Sequence, residues 1–129
     1  MTYAQAVADY LGTVLGTTVS AGLVPEPRDG IVIAVTETGG GPADTRRGGT
    51  RYDDPGYTLH LIGDDMAALD GIAELVRRRT DRTAHIETAH GTIETFAVGP
   101  PTRRMGMRSP RYRIEMAVSA EMERPRHPA

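Results

Sequence analysis

The run "RYRIEMAVSAEM", residues 111–122, puts Tyr112, Ile114, Met116, Val118 and Ala120 on one side by strict alternation. Successive side chains of an extended chain point to opposite faces, so these five residues form one apolar face only as a strand. A helix would scatter them around its axis. A strand this long needs neighbours to pair with, and its apolar face needs a cover, so the rest of the chain must supply both.

The periodicity of the preceding residues supplies them. Tyr3, Val7, Tyr10, Leu11 and Val14 recur on one helical face, and Thr2 with Gln5 has capping-box spacing, which predicts an amphipathic helix over residues 2–16. "TTVSAGLVPEPRDG" reads as a connection, because Pro25, Pro27 and Gly30 punctuate it. "IVIAVTE", Ile31 to Glu37, is apolar on both faces and suits a central strand covered on both sides. "YTLHLIG" alternates Tyr57, Leu59 and Leu61 against Thr58, His60 and Ile62 as a second strand. Leu69, Ile72, Ala73 and Val76 then mark a second helix, with Asp64 and Asp65 at its start and Arg77, Arg78 and Arg79 at its end, as the helix dipole favours. "GTIETFAV", Gly91 to Val98, is a third strand, and the alternating run is the fourth.

The expected fold is α+β: one domain with a four-stranded, mainly antiparallel sheet packed against two helices, and two long hairpin loops. Its core is expected to hold Val7, Leu11, Val14, Ile31, Ile33, Val35, Leu59, Leu61, Leu69, Ile72, Val76, Ile114, Met116 and Val118. The closing "ERPRHPA" has no apolar period, so a frayed tail is expected from about residue 122.

At 129 residues one core is feasible, and with one Phe and no Trp aliphatic side chains must fill it. The absence of Cys excludes disulfides, a thiol nucleophile and a thiolate metal site. No targeting segment and no apolar run approaching the ~20 residues of a membrane span is present, which points to a soluble, intracellularly made protein with no membrane partner. The net charge of −2 argues against a dedicated nucleic-acid binder, although all fifteen basic residues are Arg.

"VTETGGGPADTRRGGTRYDD", Val35 to Asp54, has the glycines of a phosphate loop but not its context. Such a loop lies between a strand and a helix and carries a Lys beside Ser or Thr. Here Pro42 follows the glycines, the chain has no Lys, and the next element is a strand. The dinucleotide fingerprint fails for the same reason. No nucleotide or other cofactor is expected. About 19 residues between two paired strands is nevertheless far beyond the usual two to five, and long loops of this kind are usually functional or ordered by a partner.

Other chemistry is sparse. His60, His85 and His90 have no spacing that predicts a metal site and read as ordinary strand or surface histidines. Glu87 and Glu94 could pair across a hairpin as carboxylates, but no nucleophile or oxyanion donor accompanies them. Ser109 lacks a hydrolase elbow. No active site is expected, and the chain is not read as an enzyme.

Arginine is the feature that stands out. Arg46, Arg47 and Arg51 lie in the first long loop; Arg103, Arg104, Arg108 and Arg111 lie on or beside the second, "GPPTRRMGMRSP". Two basic arms on a slightly acidic chain favour a docking surface. Arginine pairs carboxylates in a forked geometry, and Asp53 and Asp54 could supply them in a head-to-tail ring.

The order of a first helix, "IVIAVTE", the "TGGGP" loop, "YTLHLIG", the helix "DDMAALDGIAELVRRR", a further strand and "RSPRYRIEMAVSAEM" resembles the small tail terminator or minor capsid proteins of long-tailed bacteriophages. That resemblance spans nearly the whole chain and rests on element order and loop placement. It implies a virion protein, assembled in the host cytoplasm, whose hexameric ring caps the tail tube protein, stops tube polymerisation and docks to the head-tail connector. DNA would pass through the lumen without sequence-specific binding. A head-tail stopper or connector-completion protein of the neck is the nearest alternative. A small α+β ligand-binding domain or enzyme is the alternative of another class.

Overall fold

The computed structural model describes residues 3–24, 30–38, 45–47, 50–53, 56–80, 84–105 and 112–123. Among these residues two helices, α1 (Tyr3–Leu15) and α2 (Met66–Thr80), accompany nine strand segments in one sheet. The segments are β1 (Ser20–Ala21), β2 (Val32–Glu37), β3 (Thr45–Arg47), β4 (Thr50–Asp53), β5 (Tyr57–Gly63), β6 (Ala84–Thr88), β7 (Gly91–Val98), β8 (Thr102–Met105) and β9 (Tyr112–Glu123). Every pairing is antiparallel except β1 with β2.

The alternating run organises the whole sheet. β9 is longer than any of its partners, so each of its edges takes two of them end to end. Along one edge β5 pairs from Tyr112 to Val118 and β4 follows at Met122 and Glu123. Along the other, β8 pairs from Tyr112 to Glu115 and β7 from Val118 to Met122. Across its middle the sheet runs β1-β2-β5-β9-β7-β6, six strands wide. Four strands were expected; the correction comes from short, mostly polar segments: β1 and β6 widen the middle of the sheet, and "TRR", "TRYD" and "TRRM" extend its ends. Backbone pairing to a neighbour makes them strands, and hydrophobic periodicity is blind to that. The two long loops are accordingly shorter than expected, because β3 and β4 form a hairpin inside the first and β8 occupies part of the second.

α1 and α2 share one face of the sheet and close a single core. α1 ends where Gly16, at φ 69°, turns its N–H back to the Gly12 carbonyl at 2.8 Å, a left-handed cap that a side chain would disfavour. α2 starts where Asp65 Oδ1 accepts from the Ala67 N–H at 3.0 Å, an N-cap contact. Thr2 lies outside the described residues, and the Gln5 amide donates to Asp9 at 3.1 Å. Among the described residues no helix is long and apolar enough to cross a membrane.

Eleven of the fourteen expected core residues are buried. The exceptions are Val14 and Ile72, half-buried, and Ile31, which precedes β2 and is 48% exposed. In their place the core takes Tyr57, Ile93, Phe96, Met122 and the alanines Ala4, Ala6 and Ala8 of α1. The single Phe meets Tyr10 edge-on, with ring centroids 5.0 Å apart. Met122, next to the last residue of β9, is fully buried, and the rest of the expected tail, 124–129, lies outside the described residues. β2 is not covered on both sides as expected: Thr36, Thr58, His60 and Glu115 on the opposite face are half-buried, and only Ala34 and Ile62 are buried there.

Candidate assembly surface

A backbone hydrogen bond marks the base of each arm. Thr38 N–H donates to the Gly56 carbonyl at 3.2 Å below the first arm, and Gly99 N–H to the Ala117 carbonyl at 2.8 Å below the second. From there the first arm runs into β3 and β4, where Arg46 pairs opposite Arg51 and Arg47 opposite Thr50. In the second arm Arg103 pairs opposite Ile114 and Arg104 opposite Arg113. Arg108, Arg111 and Asp54 lie outside the described residues, as does much of the segment Gly39 to Arg51 expected to order on a partner.

Two of the residues expected to meet a neighbouring subunit have partners within the chain. Asp53 is 9% exposed and accepts a hydrogen bond from the Tyr3 hydroxyl at 2.9 Å, which ties β4 to the start of α1. Arg103 donates from Nε to Asp70 Oδ1 at 2.8 Å, and its Nη2 lies 2.8 Å from the same oxygen, which ties β8 to α2. Both contacts join segments far apart in sequence, so spacing could not disclose them. The arms are braced against the two helices.

Of the β6–β7 hairpin, sequence reasoning had β7 as a strand and weighed a hairpin pairing of Glu87 and Glu94, but it did not name β6 as a strand or as an edge of the sheet. β6 pairs with β7 alone among the described residues, and so presents an open edge. His85 sits on it at φ 53°, its Nδ1 3.1 Å from Glu94 Oε2 and its Nε2 3.8 Å from Glu87 Oε1. The hydrogen bond to Glu94 raises the His85 pKa above its ordinary value, and the charges of Glu94, Glu87 and Glu123 add to it. Glu87 and Glu94 thus converge on a histidine and not on each other. A signal did exist: "HIET" and "TIET" flank Ala89, His90 and Gly91, the pattern of a tight hairpin.

His90, at the tip of that hairpin, bonds Asp9 of α1 through Nδ1 at 2.5 Å. This bond, with help from Gln5, holds the Asp9 carboxyl below its usual range against the opposing effect of burial. Between α1 and β6 lies a groove of about 790 Å³, bordered by Asp9, Thr13, Thr17, Val19, Ile86 and Glu87 among others. Among the described residues no arginine lines it. On the far face of the sheet His60 Nε2 bonds Thr36 Oγ1 at 2.9 Å, and burial, reinforced by Arg113, lowers its pKa. Among the described residues no three carboxylate or histidine side chains gather to hold a metal ion.

The geometry is that of a braced sheet with an open, carboxylate-bearing edge on one side and arginine-bearing strands on another. No protein-family model matches the chain, and no curated protein matches it. Among solved structures, one chain of the virion of a native gene transfer agent particle is similar over 94% of this chain and 90% of that chain, with a TM-score of 0.62 and 20% sequence identity. The two chains share a fold from end to end.

Proposed function

We propose that the protein is a structural subunit of a phage-like particle, acting at the head-proximal end of the tail as a ring that terminates the tube and docks to the head connector. The observation that carries this reading is the end-to-end likeness to a chain of a gene transfer agent virion, with neither chain leaving a large unmatched remainder. A neck stopper ring is the closest variant of the same role. The arrangement of the surface supports an assembly role: the arms are held by the body, and charged strands lie at open edges where another chain can pair.

Native mass spectrometry and negative-stain microscopy of the purified protein test it. One closed species of fixed subunit number, with a central hole and binding to isolated tail tubes, is the expected result. A monomer that neither self-associates nor binds tubes would overturn the reading. Binding to connectors with no affinity for tubes would move the protein from terminator to stopper.

A further inference from the structure

Among the described residues β3 and β6 are both open edges, one bearing arginines and the other carboxylates. Among the described residues β3 pairs only with β4, and β6 only with β7. β3 reads Thr45-Arg46-Arg47 with no acid. β6 carries Glu87, with Glu94 beside it on β7 and Asp9 across the groove on α1. Consecutive residues of an added strand fall on opposite faces of a sheet. At β6 carboxylates lie on both: Asp9, bonded to His90, on the helix side, and Glu87, near His85, on the other, since its neighbour Ile86 pairs opposite the core residue Ile93 and packs against the core.

We propose that copies of this chain associate head to tail by adding the edge strand β3 of one copy to the edge strand β6 of the next, with Arg46 and Arg47 set against Asp9, Glu87 and Glu94. This rests on the ring reading above and names the surface that closes the ring. The backbone groups left open on the two edges would pair with each other, as in strand addition to any exposed sheet edge. Different patches meet at such a contact, so the rotation it imposes decides between closure and a filament. The groove beside β6 leaves room for the side chains that enter on the helix side.

The chain lacks cysteine, which makes the contact directly testable by cross-linking. Arg46→Cys or Arg47→Cys is combined with Glu87→Cys in one chain. Within one copy β3 and β6 are separated by β4, β9 and β7, so four inter-strand spacings of ~4.8 Å keep the two positions too far apart for a bridge, which needs Cα atoms within ~7 Å. Oxidation should therefore give a ladder of covalent dimers, trimers and higher species that reduction collapses. Separately, Arg46→Glu with Arg47→Glu should raise the protein concentration at half-assembly at least tenfold. Adding Glu87→Arg and Glu94→Arg to the same chain should restore it, because each contact then pairs reversed charges. Rings that form but never cross-link at these positions, and tolerate charge reversal, would overturn the β3–β6 contact while leaving the ring intact. A protein that stays monomeric at every concentration would overturn both.

Discussion

The two arms look alike in sequence and are held in different ways. Each is an arginine-bearing stretch that leaves one paired strand and returns to another, and each carries added strand pairing along β9. The first is anchored by a carboxylate that is 9% exposed, taking a hydrogen bond from Tyr3. The second is anchored by an ion pair whose side chains are 56% and 38% exposed, Arg103 with Asp70. Water competes for the second contact and is largely excluded from the first. Burial therefore ranks the anchors in the reverse of what charge alone suggests.

The largest expected effect tests whether both arms depend on the same strand. Met122 lies opposite Asp53 below the first arm, Ile114 lies opposite Arg103 below the second, and both are fully buried. Truncating either to Ala should cost about 2–5 kcal/mol in denaturant unfolding. A loss well under that range at one site alone would mean that its arm is attached by something other than β9. Ile33, also buried, should behave like them, whereas half-buried Ile72 should cost less.

The anchors themselves come next. Tyr3→Phe removes a donor from a buried carboxylate and should cost roughly 1–3 kcal/mol. Arg103→Ala breaks an exposed pair and should cost roughly 0–1 kcal/mol. Equal losses from the two substitutions would erase the proposed difference between the arms.

The arm bases sharpen it further. Gly56 has φ 76°, and a Cβ there would meet Thr38 Oγ1 at 2.8 Å, whereas one at Gly99 would meet nothing nearer than the Ala117 carbonyl at 3.5 Å. Gly56→Ala should destabilise by more than about 1 kcal/mol. Gly99→Ala should stay within about 0.5 kcal/mol. Thermal melts of the two variants side by side would reverse the assignment if Gly99 proved the more sensitive.

The smallest effect applies the same contrast to two histidines. His60 is half-buried and its pKa is lowered, first by desolvation; exposed His85 is raised, first by its bond to Glu94. A lowered folded pKa means that the unfolded chain binds the proton more readily, so the His60 contribution is complete above pH ~6.5 and is lost as pH falls towards the folded value. His85 has the opposite sign: its contribution is complete below pH ~6.5 and is lost as pH rises through the raised folded value. NMR titration should find His60 below and His85 above the ordinary value, and the reverse order would contradict both environments.

Much of the fold was legible before any coordinates. The alternation from Tyr112 to Ala120, the helical spacing of Leu69, Ile72, Ala73 and Val76, and the alternating Tyr57, Leu59 and Leu61 identified β9, α2 and β5. Those segments declare themselves because each buries its own apolar face against the common core, and the period of that face is written in the chain. The candidate surface was legible only in part: the arginines marked the arms, but the Tyr3–Asp53 and Arg103–Asp70 braces, and the acidic edge at β6, depend on residues brought together from distant positions.

The sequence by itself determined an α+β chain with two helices, a long organising strand and two basic excursions, since hydrophobic period, turn residues and charge are local properties. Only the tertiary structure decided that short polar segments become strands, that Asp53 is buried and Arg103 exposed, and that among the described residues β6 pairs on one side only. The reason is physical: a polar segment gains its ladder hydrogen bonds only when its partner strand lies beside it, β9 for β4 and β8 and β4 for β3, and a carboxylate's surroundings are set by whatever chain folds over it. Apart from the β3–β4 and β8–β9 pairs, these partners are distant in sequence.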